Sequence, residues 1–495
     1  MAIKRCKLFI KVAIKRRKLF IKVAIKRRNI LLKVTVKKCI LKLVIDMFKR
    51  KIMNEIKKWE NSLKIKKRAL ILRGLRQIGK TTVVKEYCQS KYENVVYINF
   101  MDLESIKNIF DKDLIVDDII RDLSAALPGN KFIPNKTVII FDEIQECVNA
   151  RASIKPFMLD GRFDIICTGS LIGLRGYNKK KGKGIPTGFE YPIQMYSMDF
   201  EEYLWARGID DNLIEYIKDC YKKKEKVSET VNNSFMKYYK EYLCVGGLPD
   251  AVNTFLLTKD LNQVYDIQIG ILENYKDDFA KHLDEEEEKY VDKNELTKIM
   301  KVYNSIPSQL AKENKKFQYS KIDKKAKGRE YRFAITWLEE FGLAKLCYNL
   351  NNIELPLEGN KNEECFKLYI TDTGLFMAML GNDTYNEILN KDMGIYKGAI
   401  YENIIAESFI KNGKNLYYFS KPSGLEIDFI TKIKNEILAV EVKSTNGNTK
   451  SLNELLKNDK YNVSNAIKLI NGNIGQNNNI YTIPLYMSFL IGGQE

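Results

Sequence analysis

The feature that most constrains this chain is Gly74-Leu-Arg-Gln-Ile-Gly79-Lys80-Thr81-Thr82, a G-x-x-x-x-G-K-[ST] run. It follows Arg68-Ala-Leu-Ile-Leu-Arg73, a short apolar strand pattern, and runs into the helical string VVKEYCQS. A loop in this strand–loop–helix setting turns backbone N–H groups inward, and the following helix adds partial positive charge at its N-terminus. Gly74, Arg76, Gln77, Ile78, Gly79, Lys80, Thr81 and Thr82 are therefore expected to cradle phosphates. Lys80 would reach the β- and γ-phosphates and Thr81 would ligate Mg²⁺, so the ligands implied are ATP and Mg²⁺.

Two later strands fit the same chemistry. Val138-Ile-Ile-Phe-Asp142-Glu143 is apolar and ends in two acids, 62 residues after Lys80. In a phosphate-loop site the first acid holds the metal through water and the second orients the attacking water. Asp142 is thus the expected metal acid beside Thr81, and Glu143 is expected to share the catalytic work with Lys80. Phe163-Asp-Ile-Ile-Cys-Thr168-Gly-Ser170 is a further apolar strand ending in hydroxyls, and Thr168 or Ser170 would sense the γ-phosphate. Asn94–Phe100 is another strand. Strands alternating with helices imply an α/β architecture with a parallel, doubly wound sheet.

These strings together resemble a family of prokaryotic AAA-type ATPases. The resemblance rests on G-x-R-Q-x-G-K-T-T, the strand ending Asp142-Glu143-Ile-Gln, and the Thr168-Gly-Ser strand end. It extends to Phe189-Glu-Tyr-Pro, Met198-Asp-Phe-Glu-Glu-Tyr-Leu204 and Tyr242-Leu-Cys-Val-Gly-Gly-Leu-Pro-Asp-Ala-Val252. That family carries a C-terminal domain of unknown function, and the likeness covers about residues 47–450. It implies ATP binding and self-association as an AAA-type oligomer. Arg175, just after the third strand, is the candidate arginine finger.

Charge and composition exclude several classes. The formal charge is +19, yet residues 1–46 hold 16 of the 82 bases and one of the 63 acids. The rest of the chain carries 66 bases against 62 acids, a net of +4. The basic segment repeats AIKRCKLFIKV, AIKRRKLFIKV and AIKRRNILLKV over residues 2–34, a period of 11. A basic arm for nucleic acid or a membrane-surface helix is one reading. The preferred one is a tandem repeat translated in frame, with Met47 or Met53 as the true start, because the copies have no capping units or core. No run of about 18 apolar residues occurs, so no membrane span is expected. Nine Cys without a C-x-x-C pair, and no secretory signal, fit a reducing cytoplasm. The single histidine, His282, rules out zinc sites built on two or more His.

The rest of the chain suggests helices followed by a second α/β unit. Residues 211–280 show helical spacing that suits an ATPase lid. The Asp284–Glu288 run is expected to be a solvated helix start or linker. Residues 294–349 read as three helices and a strand, with Pro307 opening the second helix; a paired strand at Phe366–Ile370 makes the order similar to a winged helix. Residues 312–332 hold nine Lys/Arg against three acids, and Lys321, Lys324, Lys325, Lys327 and Arg329 are candidate phosphate contacts. Farther on, Glu402 lies on a helix, Asp428 on a strand, and Glu441-Val-Lys443 on the next strand of a hairpin. Strand side chains alternate, so Glu441 and Lys443 share a face. Carboxylates converging with a lysine suit hydrolysis assisted by a second Mg²⁺ or by Mn²⁺. The order E…D…E-x-K over residues 390–450 is similar to the restriction-endonuclease-like fold.

The expected domains are the repeat (1–46), a P-loop ATPase (47–207), a helical lid (208–290), a winged-helix-like module (291–371) and a restriction-endonuclease-like end (372–495). Two functions stay open: an ATP-driven enzyme that acts on DNA through its C-terminal site, and a nucleotide-controlled protein-binding switch whose nuclease fold is inert.

Overall fold

A computed structural model describes residues 48–170, 184, 186–285, 294–312, 315–324, 327–390, 396–443 and 448–493. The 11-residue repeat, Arg175, Lys325 and the acids from Glu286 to Glu288 lie outside the described residues.

After helix α1 (Ile52–Ser62) come five strands, β1 (Ala69–Arg73), β2 (Asn94–Asn99), β3 (Thr137–Asp142), β4 (Asp164–Gly169) and β5 (Glu190–Gln194), which form one sheet in the order β2-β3-β4-β1-β5. Every pairing in it is parallel. β3 is buried along its whole length, as a strand covered on both faces must be. Because β1 lies inside the sheet, between β4 and β5, the loop that leaves its C-terminal end opens beside the ends of its neighbours. Ligands bind in such crevices of doubly wound sheets. That loop leads into α2 (Lys80–Lys91). β5 was not anticipated from the sequence; Glu190-Tyr-Pro-Ile-Gln is short and carries a proline, which an edge strand tolerates.

Residues 211–285 are helical: Asp211–Lys223, then α3 (Glu229–Val245), α4 (Pro249–Thr258) and α5 (Leu261–Glu285). Pro249 opens α4, a position where its missing N–H costs nothing. The turn before it needs glycine. A Cβ on Gly247 would lie 2.0 Å from the Met198 carbonyl oxygen, and Gly247 O accepts from Met198 N at 2.7 Å.

The next stretch departs from expectation. One helix, α6 (Asn294–Leu310), runs straight through Pro307, so Pro307 does not open a second helix. It sits in the last turn, where its carbonyl still accepts from Ala311 N at 3.1 Å. Among the described residues, one 3₁₀ turn (Tyr319–Lys321) lies between α6 and α7 (Gly328–Phe341). The hairpin expected as a wing, β6 (Ala344–Leu350) with β7 (Lys361–Ile370), joins the following sheet through a parallel pairing of Cys347 with Leu416. Phe366–Ile370 is buried at every position, which an exposed wing would not allow.

Helices α8 (Thr373–Leu380) and α9 (Tyr396–Lys411) precede β8 (Leu416–Ser420), β9 (Glu426–Ile433) and β10 (Glu436–Val442); β11 (Asn465–Ile470), β12 (Gly475–Asn477) and β13 (Ile480–Pro484) follow. The eight-stranded mixed sheet runs β12-β13-β11-β10-β9-β8-β6-β7. A P-loop-type parallel sheet and a separate C-terminal mixed sheet are therefore both present. Among the described residues no helix is long and apolar enough to cross a membrane.

Candidate functional site

The loop after β1 is shaped by two tight backbone demands. A Cβ on Gly74 would stand 2.4 Å from Met195 O, so only glycine fits. Gly79 has φ 91°, the left-handed region that favours glycine, and it caps α2. Lys80, only 5% exposed, folds back to donate to Gly74 O at 3.1 Å and Leu75 O at 2.7 Å. Burial lowers its pKa, opposed by Glu143 and Asp142. An arriving phosphate would favour the charged form further and draw the ammonium off the loop carbonyls.

Asp142 is where the predicted residues meet. Thr81 Oγ1 donates to its two carboxylate oxygens at 3.1 and 3.0 Å, and Thr168 Oγ1 donates to Oδ1. The Tyr97 hydroxyl, which the sequence reading did not single out, donates to Oδ2 at 2.6 Å. Tyr97 was legible only as one of several residues on β2, since β2 and β3 had first to be paired in register. A hydroxyl and a carboxylate in contact are hard oxygen donors, so the set fits Mg²⁺. Glu143 adopts φ 51° and accepts from Gln145 Nε2. Ser170 is buried at the end of the neighbouring strand, while Thr82 and Gln77 are exposed.

Arg50, Asp278 and Tyr275 hold this loop from outside. Arg50 donates to Ile78 O at 2.9 Å and to Tyr196 O at 2.7 Å, and pairs with Glu202 at 3.2 Å. Asp278 of α5 pairs with Arg76, and the Tyr275 hydroxyl donates to Arg76 O at 3.0 Å. Asp372, just before α8, accepts from Ser197 Oγ at 2.7 Å and Gly247 N at 2.9 Å. The nucleotide loop, the helical segment and the C-terminal sheet are thus tied by buried polar contacts.

The second cluster lies on the C-terminal sheet. The β9–β10 ladder runs as far as the pair Phe429–Val440, and Asp428 and Glu441 are the next residue of each strand. Val442 N donates to Asp428 Oδ2 at 2.8 Å. Lys443 Nζ pairs with Glu441 Oε1 at 2.7 Å, while Glu441 Oε2 is buried without a partner. Glu402 on α9 is differently engaged. It pairs with Lys315 and with Lys367 at 3.6 Å, and accepts from the Tyr369 hydroxyl at 3.0 Å. Lys367 also pairs with Glu426 at 3.2 Å and is 1% exposed. Burial pushes the Glu402 carboxyl up, but Lys367 and Lys315 outweigh it and hold it at about 2. Burial and then the Glu402 charge push Asp428 up to about 7.

All four predicted residues, Glu402, Asp428, Glu441 and Lys443, thus belong to one neighbourhood, but Glu402 faces lysines. Among the described residues no three Asp, Glu, His or Cys side chains are grouped to hold a metal, so the expected three-carboxylate arrangement is not formed. Lys315, Lys367 and Tyr369 went unrecognised because they lie far upstream of the hairpin. Of the basic stretch, Lys321, Lys324, Lys327 and Arg329 are exposed.

The protonation of Asp428 gives a testable pH dependence. Its folded pKa is raised, so the protonated form favours the fold, and that contribution is lost as pH climbs from about 4 to about 7. Asp428→Asn removes this loss. Relative to the parent, the variant's thermal midpoint is therefore expected to rise between pH 5 and pH 8, by calorimetry in buffers without metal. A pH-independent difference would count against the raised pKa.

Residues 66–204 match the model of an AAA domain, residues 236–386 a domain of unknown function (DUF8612), and residues 397–487 another (DUF4143). No curated protein matches. Among solved structures, the chain is similar to the Aeropyrum pernix ORC2 protein at 14% identity, covering 71% of this chain and 94% of that one, with a TM-score of 0.35. It is also similar to the Thermotoga maritima RuvB Holliday junction branch migration motor at 13% identity, covering 45% and 63%, TM-score 0.24. A STAND protein with a tetratricopeptide repeat sensor from Pyrococcus horikoshii matches at 13% identity, covering 72% and 45%, TM-score 0.23. Residues 66–204 are thus similar to an AAA domain, and residues 236–386 and 397–487 to two domains of unknown function.

Proposed function

We propose that this protein is a Mg²⁺-dependent ATPase that works on DNA through a nuclease-like site on its C-terminal sheet. The observation that carries the first half is the contact of Thr81 with Asp142, within reach of the loop that Lys80 closes. When bound, the Mg²⁺ supplies charge neutralisation for the phosphates and orders the in-line geometry. Thr81 and Asp142 would hold it, Lys80 would bind the β- and γ-phosphates, and Glu143 would orient the attacking water. Thr168 and Ser170 line the neighbouring strand end, where they would sense the γ-phosphate.

Asp428 and Glu441, each one residue beyond the last β9–β10 pair, with Lys443 paired to Glu441, support the second half. Those two carboxylates would offer oxygens to a divalent cation, and Lys443 would stabilise a phosphate oxygen. The exposed Lys321, Lys324, Lys327 and Arg329 suit a phosphate backbone. Self-association as an AAA-type oligomer and a cytoplasmic location belong to the same proposal.

The alternative, a nucleotide-controlled switch with an inert nuclease fold, is favoured by one observation: Glu402 is already neutralised by lysines. Plasmid and linear DNA incubated with the full chain, Mg²⁺ or Mn²⁺, and ATP or none, decide between them. Cleavage that disappears in Lys443→Ala is expected. Intact DNA under every metal, with ATP still hydrolysed, would leave the switch.

A further inference from the structure

We propose that Arg76 is a second phosphate cation of the nucleotide loop, and that Asp278 on α5 competes with the phosphates for its guanidinium. This rests on the nucleotide-binding reading of Gly74–Thr82 and adds its regulation.

Arg76 is only partly served by its surroundings. Its Nη1 pairs with Asp278, while Nε and Nη2 are buried without an acceptor. A buried donor left unpaired is costly, and more so on a charged group. The guanidinium is a planar fork that matches two oxygens of one phosphate. Arg76 lies in the loop itself, four positions before Lys80, and its charge is felt at Lys80. Lys80 is the residue that would reach the β- and γ-phosphates, so a polyphosphate drawn to one cation lies in the field of the other. The Arg76 side chain keeps 19% exposure, which leaves it at the edge of the core and not within it.

Asp278 belongs to another part of the chain. Residues 66–204 match the AAA domain model, whereas α5 falls within residues 236–386. Tyr275, one turn earlier on α5, donates its hydroxyl to Arg76 O at 3.0 Å, so this helix grips both the backbone and the side chain of one loop residue. Gln268 lies about 15 Å back along the same helix. Its Nε2 donates to Cys244 O at 3.0 Å and Val245 O at 2.9 Å, and its Oε1 accepts from the Tyr385 hydroxyl. One stretch of α5 is therefore pinned to the end of α3 and to Tyr385, and the next to the nucleotide loop. A phosphate that takes Arg76 deprives Asp278 of this partner. By linkage, whatever draws Asp278 off the loop tightens nucleotide binding by the same factor.

The test titrates the full chain with a fluorescent ADP analogue, first in EDTA and then with Mg²⁺. Asp278→Asn is expected to tighten binding by about tenfold or more, the scale of one hydrogen bond to a charged group. Arg76→Gln is expected to weaken it by a similar factor, and adding Asp278→Asn to Arg76→Gln should bring none of the gain. Pyrophosphate, which has no base or sugar, should displace the analogue with the same ranking of variants. Circular dichroism melting checks that each variant is folded. A gain that survives in Arg76→Gln overturns the inference, because the acid would then act on the phosphates directly. Parent-like affinity in Arg76→Gln overturns it too, as does Asp278→Asn binding no tighter than the parent. Under each of those results the nucleotide loop stands. A parent chain that binds neither the analogue nor pyrophosphate brings down both.

Discussion

Lys80→Ala is expected to abolish ATP hydrolysis, lowering turnover by at least about a hundredfold, the usual scale for losing one preorganised charge at a reacting phosphate or oxyanion. The structure explains why the loss should be chemical and not structural. Lys80 is buried against its own loop, donating to Gly74 O and Leu75 O, with its pKa lowered by desolvation. Removing a poorly solvated ammonium gives up two hydrogen bonds but also a desolvation cost, so the nucleotide-free protein should melt close to the parent. What should disappear is the rise in melting temperature that ATP and Mg²⁺ give, because ligand binding stabilises only the state that binds. Parallel melting curves with and without nucleotide, beside a phosphate-release assay, separate the two. Unchanged turnover in this variant would refute the assignment of Gly74–Thr82 as the nucleotide loop.

Removing residues 1–52, so that the chain starts at Met53, is expected to cripple the same site, whereas a start at Met47 is expected to preserve it. The difference is Arg50 with Lys51. Arg50 anchors Ile78 O and Tyr196 O and pairs with the buried Glu202. Lys51 pairs with Asp199 at 2.5 Å and Glu201 at 2.6 Å. Burial alone would lower the Lys51 pKa, but those two acids raise it. Deleting Arg50 leaves the buried Glu202 uncompensated, at about 3–5 kcal/mol for such a break. It also frees the carbonyl just before Gly79, so the loop loses its outer brace. The Met53 chain should melt lower and bind ATP more weakly. Arg50→Ala alone should reproduce the weaker binding, measured by fluorescent-nucleotide titration. Parent-like affinity in both would show that the loop needs no brace from this segment.

Much of the nucleotide site was legible because its chemistry is local. A glycine at φ 91°, a lysine next to it and a hydroxyl after that lie within one turn of chain, and each residue type follows from what a phosphate requires. Asp142 was legible because an apolar run ending in acids announces a strand end. Tyr97 was not, because its hydroxyl meets Asp142 only after two strands separated by a helix and two further turns pair in register. The β6–β7 hairpin, expected as a wing, differs for a related reason. Its alternation fits any two-stranded ribbon, and only the pairing of β6 with β8 decides which core it joins.

The C-terminal cluster shows the same divide. Asp428, Glu441 and Lys443 could be placed together from sequence, since a hairpin fixes its own register and side chains alternate along it. The sequence by itself also determined that the chain carries a phosphate loop and two acids behind it, because period and spacing are properties of short segments. Only the tertiary structure decided what Glu402 faces. Lys315 and Lys367 stand 87 and 35 residues before it, and their charge reaches it through space, in a buried setting where no water screens it. Contacts of that kind follow from how sheets and helices pack, which no local pattern encodes.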